Sequence, residues 1–159
     1  GWKEMIDLTL KGISGMMPLA LLMMFAFAIG AVCGELGTGQ YVADVAKAWL
    51  SPNFVPFIVF LVSCFIAFST GTSWGTFAIM ISIAVPMARG MQADVYMTVA
   101  AALGGGVFGD HCSPISDTTI LSSMASATDH IDHVRTQLPY ALTAGGAAAL
   151  LYLIIGLAG

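Results

Sequence analysis

Two long apolar segments lie near the beginning and the end of the chain. Residues 13–34 and residues 138–159 contain no Asp, Glu, Lys or Arg. As an α-helix, each segment would be ~33 Å long at a rise of ~1.5 Å per residue. That length exceeds the ~30 Å hydrocarbon core of a bilayer. The pattern therefore predicts a transmembrane helix at both places.

A shorter segment, residues 41–50, has an amphipathic pattern. In a helix its apolar and charged side chains would occupy opposite faces, with Val42, Val45, Ala46 and Trp49 on one face and Asp44 and Lys47 on the other. Helices of this kind lie in the interface between lipid and water, and Trp is typical of the headgroup level. We predict an interfacial helix here.

The middle of the chain contains two apolar segments, each interrupted by polar residues. Residues 54–88 consist of an apolar arm, the hydroxyl-rich stretch 69–76 and a second arm, and residues 94–127 repeat this outline around 109–119. The first arm, residues 54–68, would be ~23 Å long as a helix, which is too short to cross a bilayer untilted. Interrupted apolar segments in pairs are typical of transporter binding sites. We therefore expect the binding site at these two interruptions.

The composition excludes a soluble globular domain. Hydrophobic residues make up 58% of the chain and charged residues 9%, whereas soluble domains carry about 25% charged residues. Most of the surface must therefore contact the lipid bilayer or other protein within it. The net charge of −4 excludes a nucleic-acid-binding surface. The three cysteines are far apart and form no CxxC pair, so we expect neither a disulfide nor a zinc framework.

Two carboxylates, Asp110 and Asp117, are the main candidates for binding an ion. An ionised carboxylate at the centre of a bilayer costs ~3 kcal/mol or more unless it is paired or solvated. Hydroxyl and carboxylate oxygens are the ligands that hard cations prefer, and the neighbouring hydroxyls are those of Ser113, Ser116, Thr118 and Thr119. Because a partly dry site also favours a protonated carboxylic acid, such a site can hold sodium or a proton. The alternative is that both acids only cap the half-helices.

The first interruption offers further hydroxyls, of which Thr70, Thr72 and Ser73 are candidates for binding an ion or substrate. The alternative there is a tight turn between packed helices. Four more residues are candidates for a role in the ion pathway or in pH dependence, namely Glu35, His111, His130 and His133. For Glu35 the alternative is an interface charge, and for the segment 129–133 it is a solvated linker.

Four motifs together resemble the NhaC-type sodium/proton antiporter family. They are GDHCSPISDTTILSS at residues 109–123, TGTSWGTF at 70–77, ELGTG at 35–39 and DHIDHV at 129–134. The motifs occur in the family's order, and the resemblance covers nearly the whole chain. Family members are about three times longer, so the resemblance implies that residues 1–159 are the C-terminal half of a transmembrane domain.

The resemblance implies an all-α integral membrane protein built as one half of an inverted-repeat transporter. In that fold residues 54–88 would form a re-entrant hairpin with its tip at 70–76, and residues 94–127 a discontinuous helix broken at 109–119. It also implies sodium/proton antiport across the cell membrane by a multi-pass protein, with sodium and protons as the transported species and no cofactor. The N-terminal half of the transporter would be the partner, and a homo-oligomer is left open.

Alternatives to sodium/proton antiport remain at this stage. Some relatives in the family exchange organic acids, such as malate for lactate, and the motifs do not separate the two activities. An intramembrane aspartyl protease would match Gly109-Asp110, but Val107 breaks its GxGD pattern and we expect no enzyme. The chain contains no GxxxxGK[ST] phosphate loop, so we expect ion gradients to drive transport. A non-transporting fragment is the third alternative.

Overall fold

The computed structural model describes residues 1–158 and all their side chains except those at positions 16, 18, 19, 22, 23 and 26. Over this part of the chain the fold is all-helical, as the sequence predicts. The helices are α1 (Trp2–Glu35), α2 (Thr38–Ala46), α3 (Val55–Thr70), α4 (Ser73–Met91), α5 (Val95–Cys112), α6 (Asp117–Ala125) and α7 (His130–Ala158), and a short 3-10 helix (Pro52–Phe54) leads into α3.

Three of the described helical segments are long and apolar enough to cross a membrane. They are Pro52–Thr70, Ser73–Met91 and His130–Ala158. Of the segment predicted to span at 138–159, residues 138–158 form the larger part of α7, which begins eight residues earlier with polar turns; residue 159 lies outside the described residues. The segment predicted at 13–34 lies within α1, and six of its side chains fall outside the described part of the chain.

The two arms of the first interrupted segment are longer than their apolar residues indicate. Helix α3 continues through Ser69 and Thr70, because these hydroxyls donate to the carbonyls of Phe65 and Ile66 at 2.8 Å and 2.9 Å. A helix satisfies such side chains internally. Pro52–Thr70 is therefore long enough to span, and arm length alone no longer distinguishes a re-entrant hairpin from two crossing helices.

Helix α2 differs from the interfacial helix predicted at 41–50. It begins after Gly37, whose φ of 64° breaks the chain from α1, and it ends at Ala46. Its buried face consists of Gly39, Ala43 and Ala46, whereas Trp49 lies beyond the helix and is exposed. The small residues allow α2 to pack closely on α4, with Gly39 against Pro86. Packing on a neighbouring helix, rather than the apolar face read from the sequence, therefore orients α2.

Helices α3 and α5 form the centre of the structure and lie in close contact along a row of glycines. A Cβ atom at Gly105 would collide with the Phe60 carbonyl, and one at Gly109 would collide with the Cys64 carbonyl. Small residues let membrane helices approach backbone to backbone in this way. The contact places the C-terminal end of α5, with Asp110, beside the C-terminal end of α3 and the turn into α4.

Candidate functional site

Asp110 is the buried carboxylate around which the site is built. It lies in the last turn of α5, with 4% of its surface exposed. Its Oδ1 accepts a hydrogen bond from Ser116 Oγ at 2.7 Å. Its Oδ2 lies 3.2 Å from Thr118 Oγ1 and 3.4 Å from Ser73 Oγ. One carboxylate therefore accepts hydrogen bonds from hydroxyls of α4, of α6 and of the break between α5 and α6.

The break between α5 and α6 is narrower than the sequence indicates. Polar residues occupy 109–119, but only residues 113–116 are non-helical. Asp110 is consequently a helical residue, and Ser116 is the residue that caps α6, because its Oγ accepts from Thr119 N at 3.4 Å. The same hydroxyl therefore begins α6 and bonds Asp110. It also lies 2.8 Å from Thr118 Oγ1.

The turn between α3 and α4 packs directly against this break. Ser113 Oγ donates to the Phe68 carbonyl in the last turns of α3 at 2.8 Å. Gly71 adopts a φ of +69°, and a Cβ atom added there would lie 2.7 Å from the Ile115 carbonyl. A side chain at position 71 would therefore be strained by both its backbone and its neighbour. Glycine lets the two interruptions of the helices meet.

The charges around Asp110 favour a bound cation or a proton. Among the described residues, no basic group lies within salt-bridge distance of its carboxylate. The ion pairs in this part of the chain are Gly1–Glu4 and Lys47–Asp44, and neither involves Asp110. The carboxylate lies at the C-terminal end of α5, where the helix dipole is negative, and beside the first residues of α4 and α6, where it is positive. A buried charge without a partner is costly. No positively charged side chain of the described residues neutralises the carboxylate, and a cation or a proton would do so.

Thr119 and Asp117 lie on α6 beside the cluster but are placed differently. Thr119 is buried, and its Oγ1 has no hydrogen-bond partner within the described part of the chain. Asp117 is exposed in the first turn of α6, where a carboxylate interacts favourably with the helix dipole. Thr119 meets the cluster through its backbone N–H, which donates to Ser116 Oγ, whereas the Asp117 side chain makes no hydrogen bond among the described residues. The role predicted for Asp117 in binding sodium stays a prediction.

The three predicted hydroxyls of the first interruption differ in their partners. Thr70 Oγ1 donates to the Ile66 carbonyl within α3, and Thr72 precedes α4 without a side-chain cap bond. Of the three predicted residues in this interruption, only Ser73 reaches Asp110. Three of the proposed pathway residues, Glu35, His111 and His133, make no side-chain hydrogen bond among the described residues.

His130 is bonded to the break, a contact that the sequence did not predict. Its Nε2 lies 2.6 Å from the Pro114 carbonyl and its Nδ1 lies 3.2 Å from Ser123 Oγ. Gln137, which no sequence pattern marked as functional, donates to the His111 carbonyl at 3.1 Å. Helix α7 is thus attached on both sides of the break. Within the segment 129–133, α7 begins at His130, and Asp129, Ile131 and Asp132 are exposed.

Within the described residues, no three His, Cys, Asp or Glu side chains come together as a metal site. The donors around Asp110 are instead one carboxylate and several hydroxyls. Such oxygens suit a hard cation rather than a transition metal.

Comparison with known proteins relates the chain to antiporters. The model of the Na+/H+ antiporter family matches residues 1–157. The chain is 31% identical to the arginine/ornithine antiporter of Halobacterium salinarum over 99% of its length, and 27% identical to the malate-2H+/Na+-lactate antiporter of Bacillus subtilis over 98%. It is 25% identical to the Na+/H+ antiporter NhaC of Alkalihalophilus pseudofirmus, also over 98%.

These matches cover only part of the relatives. The chain spans 33% of the Halobacterium and Bacillus proteins and 34% of the Alkalihalophilus protein. No solved structure matches the chain at a significant level.

Proposed function

Because the chain belongs to the Na+/H+ antiporter family, we propose that it forms part of a secondary transporter that exchanges sodium for protons, with Asp110 holding each ion in turn. The observation that carries the proposal is a buried carboxylate, 4% exposed, that has hydroxyl ligands but no basic partner among the described residues. Transporters of this class use ion gradients, and we expect the protein in the cell membrane.

The chemistry of exchange follows from the groups that surround Asp110. In the proton-bound state its carboxyl group is neutral, which suits a buried position. In the sodium-bound state the ionised carboxylate supplies the charge. A hydroxyl has one proton and two lone pairs, so Ser116, Thr118 and Ser73 can bond the carboxylate and still offer oxygen to sodium. The two states exclude each other, because one negative charge neutralises one cation.

The proposed architecture is one half of an inverted repeat. Helices α3 and α4 would form a re-entrant hairpin, and α5 and α6 a discontinuous helix. The contact between the α3–α4 turn and the α5–α6 break supports this arrangement, because non-helical backbone at membrane depth must be buried in protein or line a water-filled cavity. The N-terminal half of the transporter would complete the site at the interface between the repeats.

Exchange of organic acids is the second candidate function. The name of the Bacillus relative, a malate-2H+/Na+-lactate antiporter, favours it. A carboxylate substrate would need positive charge, and no basic side chain bonds the Asp110 cluster within the described part of the chain. Sodium/proton exchange therefore fits the cluster better.

The test is transport by the full-length protein in proteoliposomes that contain a pH dye. We expect an imposed sodium gradient to drive proton flux, and we expect Asp110→Asn to abolish it while membrane insertion stays normal. Asp44→Asn, which changes an exposed carboxylate on α2, is the matched control and should transport like the wild type. Wild-type flux with an unchanged pH profile in Asp110→Asn would contradict the proposal. Flux driven only by an organic acid would favour the second candidate.

A further inference from the structure

We propose that His130 is a positioning residue for the ion site and that it acts by fixing the carbonyl of Pro114 in the break between α5 and α6. The proposal rests on the proposed function only for its transport readout. His130 is the first residue of α7, and its half-buried ring lies between the break and α6. Neither the family match nor the names of the relatives assigns it a role.

The hydrogen bonds of the imidazole define what it does. A carbonyl oxygen can only accept, so the 2.6 Å contact with Pro114 requires a proton on His130 Nε2. On the other side of the ring, Nδ1 lies 3.2 Å from Ser123 Oγ, whose single proton goes either to Nδ1 or to the Ile120 carbonyl 2.7 Å away. The ring is therefore oriented by α6 and holds the break through Nε2.

The break is bonded to α3 through Ser113 Oγ, and His130 holds it at a second point, the Pro114 carbonyl. Pro114 has no backbone N–H to donate, and its carbonyl lies in the non-helical stretch 113–116. Two residues further on, Ser116 donates to Asp110 Oδ1 at 2.7 Å. Movement of the Pro114 carbonyl would displace Ser116 from the carboxylate. Loss of the His130 bond should therefore weaken ion binding although His130 does not touch the ion.

The surroundings of His130 provide a matched control. Asp129 accepts from the backbone N–H groups of Ile131 and Asp132 and so caps α7. One turn further along α7, His133 makes no side-chain hydrogen bond among the described residues. A substitution at His133 keeps the local composition similar but should leave the break unchanged.

The chemistry of amide side chains separates the two ring nitrogens. In Gln the terminal N–H group reaches the position of His Nε2, whereas in Asn it reaches only the position of Nδ1. His130→Gln should therefore keep the bond to Pro114, and His130→Asn and His130→Ala should lose it. Because Gln is also closer to His in volume than Asn is, His130→Met separates bulk from bonding: Met fills the space without a donor and should behave like Ala.

The first readout does not depend on transport. Ile115, the exposed neighbour of Pro114, is replaced by Cys in a Cys-free full-length protein, and the rate of its reaction with a small thiol reagent is measured. His130→Asn and His130→Ala should change this rate about five-fold, as expected for the loss of one hydrogen bond. His130→Gln and His133→Asn should leave it unchanged. The proposal is overturned if the labelling rate is unchanged in His130→Asn and His130→Ala, or if it changes equally in His130→Gln.

The second readout is the sodium dependence of proton flux in the same variants. His130→Asn should raise the sodium KM about five-fold with a smaller change in the maximal rate. His130→Gln should have the KM of the wild type. A lower maximal rate with an unchanged KM overturns the positioning role. If the wild type does not exchange sodium, the proposed function fails, and the labelling rates still decide the role of His130.

Discussion

The two interruptions of the central helices look alike in sequence, but their hydroxyls bond in different ways. In the first interruption, Ser69, Thr70 and Thr76 donate to backbone carbonyls four residues earlier in their own segment. In the second, Ser113 donates to the Phe68 carbonyl on α3, and Ser116 donates to the Asp110 carboxylate. Only Ser73 of the first interruption reaches the same carboxylate.

The difference follows from where the helices end. A Ser or Thr inside a helix has a carbonyl within reach one turn earlier and bonds to it. A hydroxyl at a helix start or in a break lacks that partner and bonds to groups on other elements. The first interruption has only Gly71 and Thr72 between two helices, whereas the second has four non-helical residues. Candidate ligands therefore concentrate where regular structure stops, and not wherever hydroxyls are frequent.

The largest effect is expected from the contact that joins the two interruptions. A Cβ atom at Gly109 would meet the Cys64 carbonyl and lie 2.9 Å from Phe68 N, both of which are backbone atoms of α3. Gly109→Ala should destabilise the full-length protein by ~1–3 kcal/mol, as overpacking does. Thermal unfolding in detergent measures this. Gly146→Ala, where nothing lies within 4 Å, is the control, and equal melting temperatures for both variants would contradict the close contact.

A smaller effect is expected from the one hydroxyl of the first interruption that bonds Asp110. Ser73→Ala should raise the sodium KM about three-fold, because a single long hydrogen bond contributes modestly. Ser69→Ala removes a hydroxyl that bonds only the Phe65 carbonyl and should leave KM unchanged. Sodium-dependent flux in proteoliposomes measures both variants. Equal effects would mean that the contrast drawn between these hydroxyls is wrong.

The smallest effect is expected at the second carboxylate. Asp117 is exposed in the first turn of α6. Asp117→Asn should therefore lower the free energy of unfolding by only ~0.3–1 kcal/mol, the contribution of a helix-dipole interaction. Its sodium KM should stay within about two-fold of the wild type, since no cluster hydrogen bond is lost. Sodium titration of transport measures this. A loss of transport comparable to that of Asp110→Asn would place Asp117 among the ion ligands.

Much of the fold could be predicted from the sequence, because long apolar segments and polar interruptions determine where membrane helices lie. The apolar length of the first arm was misleading, since Ser69 and Thr70 continue α3 by bonding its own carbonyls. The orientation of α2 was also missed, because its small residues Gly39 and Ala43 pack on α4. Tertiary packing sets these features, and hydrophobic patterns do not record it.

The candidate site could be predicted in part. The intramembrane cost of a carboxylate pointed to Asp110, and the structure bonds it to the predicted hydroxyls of Ser116 and Thr118, while its binding of an ion stays a prediction. The sequence predicted an ion-binding role for Asp117 as well as for Asp110. It could not show that Asp117 is exposed, because exposure depends on which side of α6 a residue occupies. Two hydrogen bonds attach α7 to the break and to the end of α5. They join His130 to Pro114, 16 residues apart in the chain, and Gln137 to His111, 26 residues apart. Periodicity cannot predict contacts of this range.

The central claim is that the two interruptions form one site around Asp110, and a double-mutant cycle between Ser73 and Ser116 tests it most directly. The sodium KM is measured for Ser73→Ala, Ser116→Ala and the double variant in the full-length protein. Because both hydroxyls bond the same carboxylate, we predict a coupling free energy of at least ~0.5 kcal/mol. Ser69→Ala combined with Ser116→Ala should show none. Strictly additive effects of Ser73→Ala and Ser116→Ala would contradict a single site.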